Sequence, residues 1–175
     1  VDGMDAQVLQ DDVDLLRSLK GKPIPEGSSL GGEYCRILYE DAAAKDRPMP
    51  KLSPEILAMW GGEIMLFPNV MILPQAGNAM IYRVRPDAKD PDKCDFEIYS
   101  TRTLPAAAER QRAELEVVED VEEQVLLIPR QDLGNLERMQ KGLHSRAIKQ
   151  VWLASHHEKV ILGMHQEMDK YLTSE

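Results

Sequence analysis

Aromatic residues are scarce in this chain, at 5% of its 175 residues, and cysteines number only two. Cys35 and Cys94 stand far apart and fit neither a disulfide framework nor a Cys-rich metal or redox pattern. So few cysteines predict a reduced, cytoplasmic protein. No apolar run approaches the roughly 18 residues a membrane span needs, which argues against an integral membrane protein. A basic stripe is missing too: 21 Lys and Arg against 30 Asp and Glu leave a formal charge of −9. Phosphate contacts need clustered Lys and Arg, so nucleic acid is not an expected partner. Residues 1–12 are acidic and lack an apolar segment, so no signal peptide is expected. Histidine is absent from the first 143 residues and then occurs four times, at His144, His156, His157 and His165. Gly-rich phosphate loops, Gly-x-Ser-x-Gly elbows and Cys–His nucleophile pairs are absent as well. The chain opens on Val1 rather than methionine, which sets the expectation that an upstream segment is absent.

What is present reads as one soluble α+β domain over residues 1–175, with 43% hydrophobic and 29% charged residues. Residues 1–60 read as helices and loops, 61–104 as an antiparallel sheet and 105–175 as helices. Loose helical spacing of Val8, Val13, Leu15, Leu16 and Leu19 predicts a helix over 6–20, stopped at Gly21 before Pro23 and Pro25. Residues 26–32 read as a flexible loop and 33–45 as a second helix. Ser53 and Pro54 look like a further helix start, with Ser53 as cap. Four strands are predicted over 63–67, 70–74, 78–85 and 94–103, separated by Pro-, Asn- and Gly-containing turns. Met80, Tyr82 and Val84 alternate with Ile81, Arg83 and Arg85, as Phe96 and Ile98 do with Glu97 and Tyr99. That alternation predicts an antiparallel meander with one wet and one dry face. Helices then start near Pro105, Pro129 and Ser155.

The segment 129–143 carries the most information. On a helix at about 100° per residue, Leu136, Met139 and Leu143 form an apolar stripe opposite Glu137, Arg138 and Lys141. Asp132 and Asn135 fall on that stripe. A carboxylate facing a core is costly unless paired, hydrogen-bonded or metal-bound. Two readings stay open: Asp132 caps the helix near Pro129, or it ligates a metal with Asn135 one turn on as a pocket group. In the last helix, Ser155 and Glu158 read as a capping box. His165 shares a face with Ile161, Met164, Met168 and Leu172 and reads as a hydrogen-bonded core histidine. None of the histidines forms a His-x-x-x-His pair, so a self-contained histidine metal site has little support.

Several short pieces then occur in order: Leu66-Phe67-Pro68-Asn69, Gln131-Asp132-Leu133-Gly134-Asn135, Gln140-Lys141-Gly142-Leu143-His144-Ser145, His157-Glu158, Met164-His165 and Tyr171-Leu172. Over residues 61–172 the chain resembles the C-terminal part of the catalytic domain of the large (α) subunit of Rieske-type aromatic-ring-hydroxylating oxygenases. The resemblance implies a helix-grip (START-like) fold, an antiparallel sheet over a long C-terminal helix, incomplete in this chain. In that family two histidines and one carboxylate hold a mononuclear Fe(II), leaving positions open for dioxygen. Asp132 matches the carboxylate ligand and Asn135 the second polar residue of that motif. Ile128 falls where a bulky pocket-lining side chain is common, and Asn69 is a candidate substrate contact. The resemblance also implies a Rieske 2Fe-2S cluster in an absent N-terminal part, electrons from a ferredoxin or reductase, and a trimer-based homo- or hetero-oligomer. The two histidine ligands and the Cys-x-His and Cys-x-x-His pairs of a Rieske domain have no match here.

Two functional classes follow. The first is an enzyme part that hydroxylates an aromatic or other small organic substrate only with upstream histidines and an electron donor; alone, the chain is expected to be inactive. The second is a non-catalytic helix-grip module that binds an apolar small molecule.

Overall fold

The computed structural model describes residues 10–51, 53, 56, 63–75, 77–110, 112–125 and 127–173. They fall into two compact units, one from residues 1–49 and 104–145, the other from 50–103 and 146–175.

The first unit is helical. Helix α1 (Gln10–Ser18) ends in tight turns in which Leu19 N–H donates to Leu16 O and Lys20 N–H to Arg17 O, both at 3.0 Å. Gly21 follows at φ 76°, the left-handed geometry that ends a helix and that a side chain would resist. Helix α2 (Leu30–Ala44) starts earlier than its sequence suggests. Ser29 Oγ accepts from Gly32 N–H at 3.0 Å, and Glu33 N–H donates to Ser29 O at 2.9 Å. A good cap therefore draws Gly31 and Gly32, expected in a loop, into the first turn. At the other end, Arg47 N–H reaches Ala42 O at 2.8 Å and Asp46 N–H reaches Ala43 O at 3.2 Å. This is a Schellman closure with Asp46, at φ 52°, in the position glycine usually takes. Among the described residues, Val13 and Leu19 from the α1 side, Leu38 and Ala42 from α2, and Pro129 are buried apolar side chains.

Ser29→Ala should lower stability by about 0.5–2 kcal/mol, read by chemical denaturation, because it strands a first-turn N–H. An unchanged midpoint would mean that the Gly32 bond is not made in solution.

No helix forms near Pro105. Residues 104–110 and 112–120 are exposed, and a helix without an apolar face to bury is marginal in water. The chain becomes helical at α3 (Val121–Gln124), where the Asp120 carboxylate accepts from Glu122 and Glu123 N–H. Helix α4 (Leu127–Leu143) follows, with Pro129 in its first turn, where a missing N–H breaks no intrahelical bond. Arg130 ties α4 to α3 through Glu122, donating to its backbone carbonyl and lying 3.5 Å from its carboxylate.

The second unit holds β1 (Ile64–Leu66), β2 (Val70–Gln75), β3 (Asn78–Pro86), β4 (Cys94–Arg102) and α5 (Lys159–Leu172). The strands form an antiparallel sheet in sequence order β1-β2-β3-β4. Period-2 alternation and turn residues therefore located all four strands to within two residues. Register places Met65 opposite Met71, Met71 opposite Tyr82 and Tyr82 opposite Ile98, so these four line one apolar face. Ile72, Ile81 and Tyr99 align on the other, where Arg83 and Glu97 also sit. The alternation is as expected, but the dry face is not dry: Tyr82 is half-buried and Ile98 exposed.

Helix α5 begins at Lys159, four residues after Ser155. Glu158 does reach back, but to Ala154 N–H rather than to Ser155, and the intervening residues remain a turn. Near the far end of α5 the Tyr171 ring stacks on Phe67 of the β1–β2 turn, centroids 5.4 Å apart and planes 17° apart. Mixed helices and an open four-stranded antiparallel sheet give an α+β, helix-grip-like fold. The helix start expected at Ser53 and Pro54 lies largely outside the described residues, although Ser53 Oγ accepts from Ile56 N–H at 3.4 Å.

Candidate functional site

Asp132 occupies the second turn of α4, with Asn135 and Leu136 one turn further on the same face. Because the helix starts at Leu127, Asp132 is too deep in it to cap its N-terminus. That removes the capping reading. The expected core is absent as well: Asp132 and Asn135 are exposed, as are Leu136 (45%), Met139 (61%) and Leu143 (51%) on the same stripe. The carboxylate therefore stands hydrated on an apolar face, and no described residue donates a hydrogen bond or forms an ion pair with it. The side chain of Ile128 lies outside the described residues.

Asn69 sits in the β1–β2 turn of the other unit. Its side-chain amide donates to Val84 O at 2.7 Å, and its carbonyl accepts from Val84 N–H at 3.0 Å. Both bonds pin the turn to β3, so one Asn69 N–H is committed to the fold. Asp132 and Asn135 are thus brought together on α4, while Asn69 belongs to a separate unit.

The histidines are not core groups. His144 follows the end of α4, a dozen residues beyond Asp132 and roughly 18 Å along the axis at about 1.5 Å per residue. His156 and His157 are exposed in the turn before α5, their rings edge-on at 5.1 Å. His165 is exposed on α5, against the expectation of a buried partner, because that stripe of the helix is largely uncovered. Among the described residues no three His, Cys, Asp or Glu side chains gather into a group that would hold a metal.

A second polar constellation, missed in the sequence reading, lies across β3 and β4. Glu97 accepts from Arg83 Nε at 2.5 Å, Arg85 Nε at 2.7 Å and Tyr99 Oη at 2.6 Å. Arg85 also reaches Asp95 at 3.2 Å, and the Arg83 guanidinium lies 5.5 Å from the Tyr99 ring centroid. Arg83 opposite Glu97 and Arg85 opposite Asp95 in the ladder were the available signal, once register is known. Hydrogen bonds from Arg83 and then Tyr99 hold the Glu97 carboxyl down at about 2, and the same contacts raise the Tyr99 phenol and the Arg83 guanidinium. With both of its oxygens engaged, Glu97 braces the sheet rather than offering a reactive carboxylate.

This sets a pH dependence. A carboxyl depressed from 4.5 to about 2 contributes stability that is complete above 4.5 and fades as pH falls toward 2. Glu97→Gln should lower the melting temperature at neutral pH and shrink the loss between neutrality and about pH 3. Glu33, which accepts from Arg36 and Ser28, and Asp87 are shifted in the same direction, so the slope should shrink without vanishing. A variant with the parental acid profile would contradict the brace.

Beyond this geometry, the profile of one protein family, described as the ring hydroxylating alpha subunit (catalytic domain), matches residues 36–174. The matched stretch spans α4 with Asp132 and Asn135, all four strands and α5. No curated protein and no solved structure gives a significant match. With most of its length matched, the chain belongs to the family of ring-hydroxylating oxygenase α subunits, in their catalytic domain.

Proposed function

We propose that this chain forms the C-terminal catalytic-domain portion of a Rieske non-haem iron oxygenase α subunit that hydroxylates an aromatic or other small organic substrate with dioxygen. One observation carries the reading: Asp132 and Asn135 share one exposed, apolar face of α4, with the carboxylate engaged by no described residue. Asp132 is then the single carboxylate donor to the mononuclear iron. Leu136 and Met139 offer apolar surface to a ring, and the Asn135 amide offers a donor and an acceptor to a polar substituent. Ile128, on the same helix, is a secondary pocket position.

The iron of this family needs three protein donors, and the described residues of this chain do not gather into that set. Of the two carboxylates on α4 only Asp132 lies on the apolar stripe, Glu137 being opposite; no histidine lies within a turn of Asp132, and no three-donor cluster occurs among the described residues. Hydroxylation is therefore a property of an assembly that also brings two histidines, a Rieske cluster and a ferredoxin or reductase, in an oligomer of the trimer-based kind. Within it, the part assigned to this chain is to present Asp132 and to shape the pocket wall.

The test is oxygen transfer. The chain joined to, or assembled with, a polypeptide carrying the histidine pair and the Rieske cluster is given isotopically labelled dioxygen, reductant and a panel of aromatic substrates. Label in a hydroxylated product is expected; substrate consumed by none of the panel, with the assembly intact and reduced, would refute the reading.

A further inference from the structure

Within its own unit, Asp132 has no imidazole close enough to share a metal with it. Ligands to one iron have to converge within a few ångströms, which along a helix means residues about one turn away on the same face. The positions that share the Asp132 face within a turn are Ile128, Pro129, Asn135 and Leu136, none of which carries an imidazole or a second carboxylate. His144, the sole histidine of the same unit, is a dozen residues further along the helix run. The two adjacent histidines do not compensate: His156 and His157 face each other edge-on in a solvent-exposed turn.

The described contacts of the first unit involve no metal donor set. Its described buried side chains include Val13, Leu19, Leu38, Ala42 and Pro129, Ser29 caps α2, and its buried acid, Glu33, is engaged by Ser28 and Arg36. Asp132 contributes to none of these.

From this we infer that the 175-residue chain folds without iron and holds none by itself: Asp132 stands without a second donor on its helix face, and the described residues gather no three-donor group around it. The inference rests on the proposed function for the identity of the metal and of the missing donors. It differs from zinc-finger-like domains, in which metal binding and folding are one event. Because Leu136, Met139 and Leu143 stand exposed along the stripe that carries the carboxylate, further donors would have to arrive together with apolar cover.

The experiment uses the chain alone, titrated anaerobically with Fe(II) and, as a spectroscopic probe, with Co(II). Elemental analysis after desalting should find far less than one metal per chain. The melting temperature should not move, whereas a metal bound to the folded state and in large excess over its Kd would raise it by several degrees. Asp132→Asn should change neither result. Near-stoichiometric metal, with a melting shift or a ligand-field cobalt spectrum, would overturn the inference, whether or not Asp132→Asn abolishes it. Failure of the proposed function reads differently: the assembled oxygenase would keep its iron in Asp132→Asn while the isolated chain still bound none.

Discussion

Asp132→Ala is expected to reduce hydroxylation by the assembled oxygenase by on the order of 100-fold or more, since even groups that only orient a metal ligand typically cost 10–100-fold when removed. The chain itself should be unharmed. Asp132 is exposed, sits in the interior of α4 and takes part in no described hydrogen bond or ion pair, so its loss leaves nothing stranded. Alanine is also the better helix former, by up to about 0.7 kcal/mol, so α4 should gain slightly in stability. Turnover and thermal melts on the same samples separate the two effects. Lost turnover with an unchanged or raised melting temperature supports a role in the site. Retained turnover would leave Asp132 as an ordinary surface carboxylate.

Leu38→Ala should produce the largest stability change in the chain, about 2–5 kcal/mol by chemical denaturation. Leu38 is 5% exposed on α2 and belongs to the small group of side chains, with Val13, Leu19 and Ala42, that closes α1 against α2. A domain of this kind typically has only about 5–15 kcal/mol of stability, so the loss would be a large fraction of it. Met139→Ala is the matched control. At 61% exposure it leaves little cavity, and surface changes of this sort usually stay within about 0.5 kcal/mol. Equal effects at both positions would mean that the α4 stripe is covered in solution and that the site is not open as described.

The difference between those two residues also shows what was legible beforehand. Strand positions and pairing order could be read because alternation and turn residues are local signals, and Met80, Tyr82 and Val84 do share a face. The stripe joining Asp132, Asn135, Leu136 and Met139 was equally legible, since it follows from helical period alone. Whether a stripe is covered is not local. Leu136 and His165 look like core positions by spacing, yet both are exposed, because cover depends on what other segments bring to that face. The helix expected near Pro105 failed for a related reason: residues 104–110 and 112–120 are exposed, and alanines alone do not sustain a helix in water. The early start of α2 turned on one cap, Ser29, whose hydrogen bond to Gly32 outweighed the flexibility of two glycines. The Glu97 brace depended on register, which places Arg83 across from it only once β3 and β4 have been aligned.

The proposal that Asp132 on α4 is the iron carboxylate is tested most directly by the iron content of the assembled α subunit, measured by elemental analysis for the parent and for Asp132→Ala, with the Rieske iron counted separately. The account predicts about one mononuclear iron per chain in the parent and a near-complete loss in the variant, with the Rieske iron unchanged. Mononuclear iron retained in full by Asp132→Ala would contradict it.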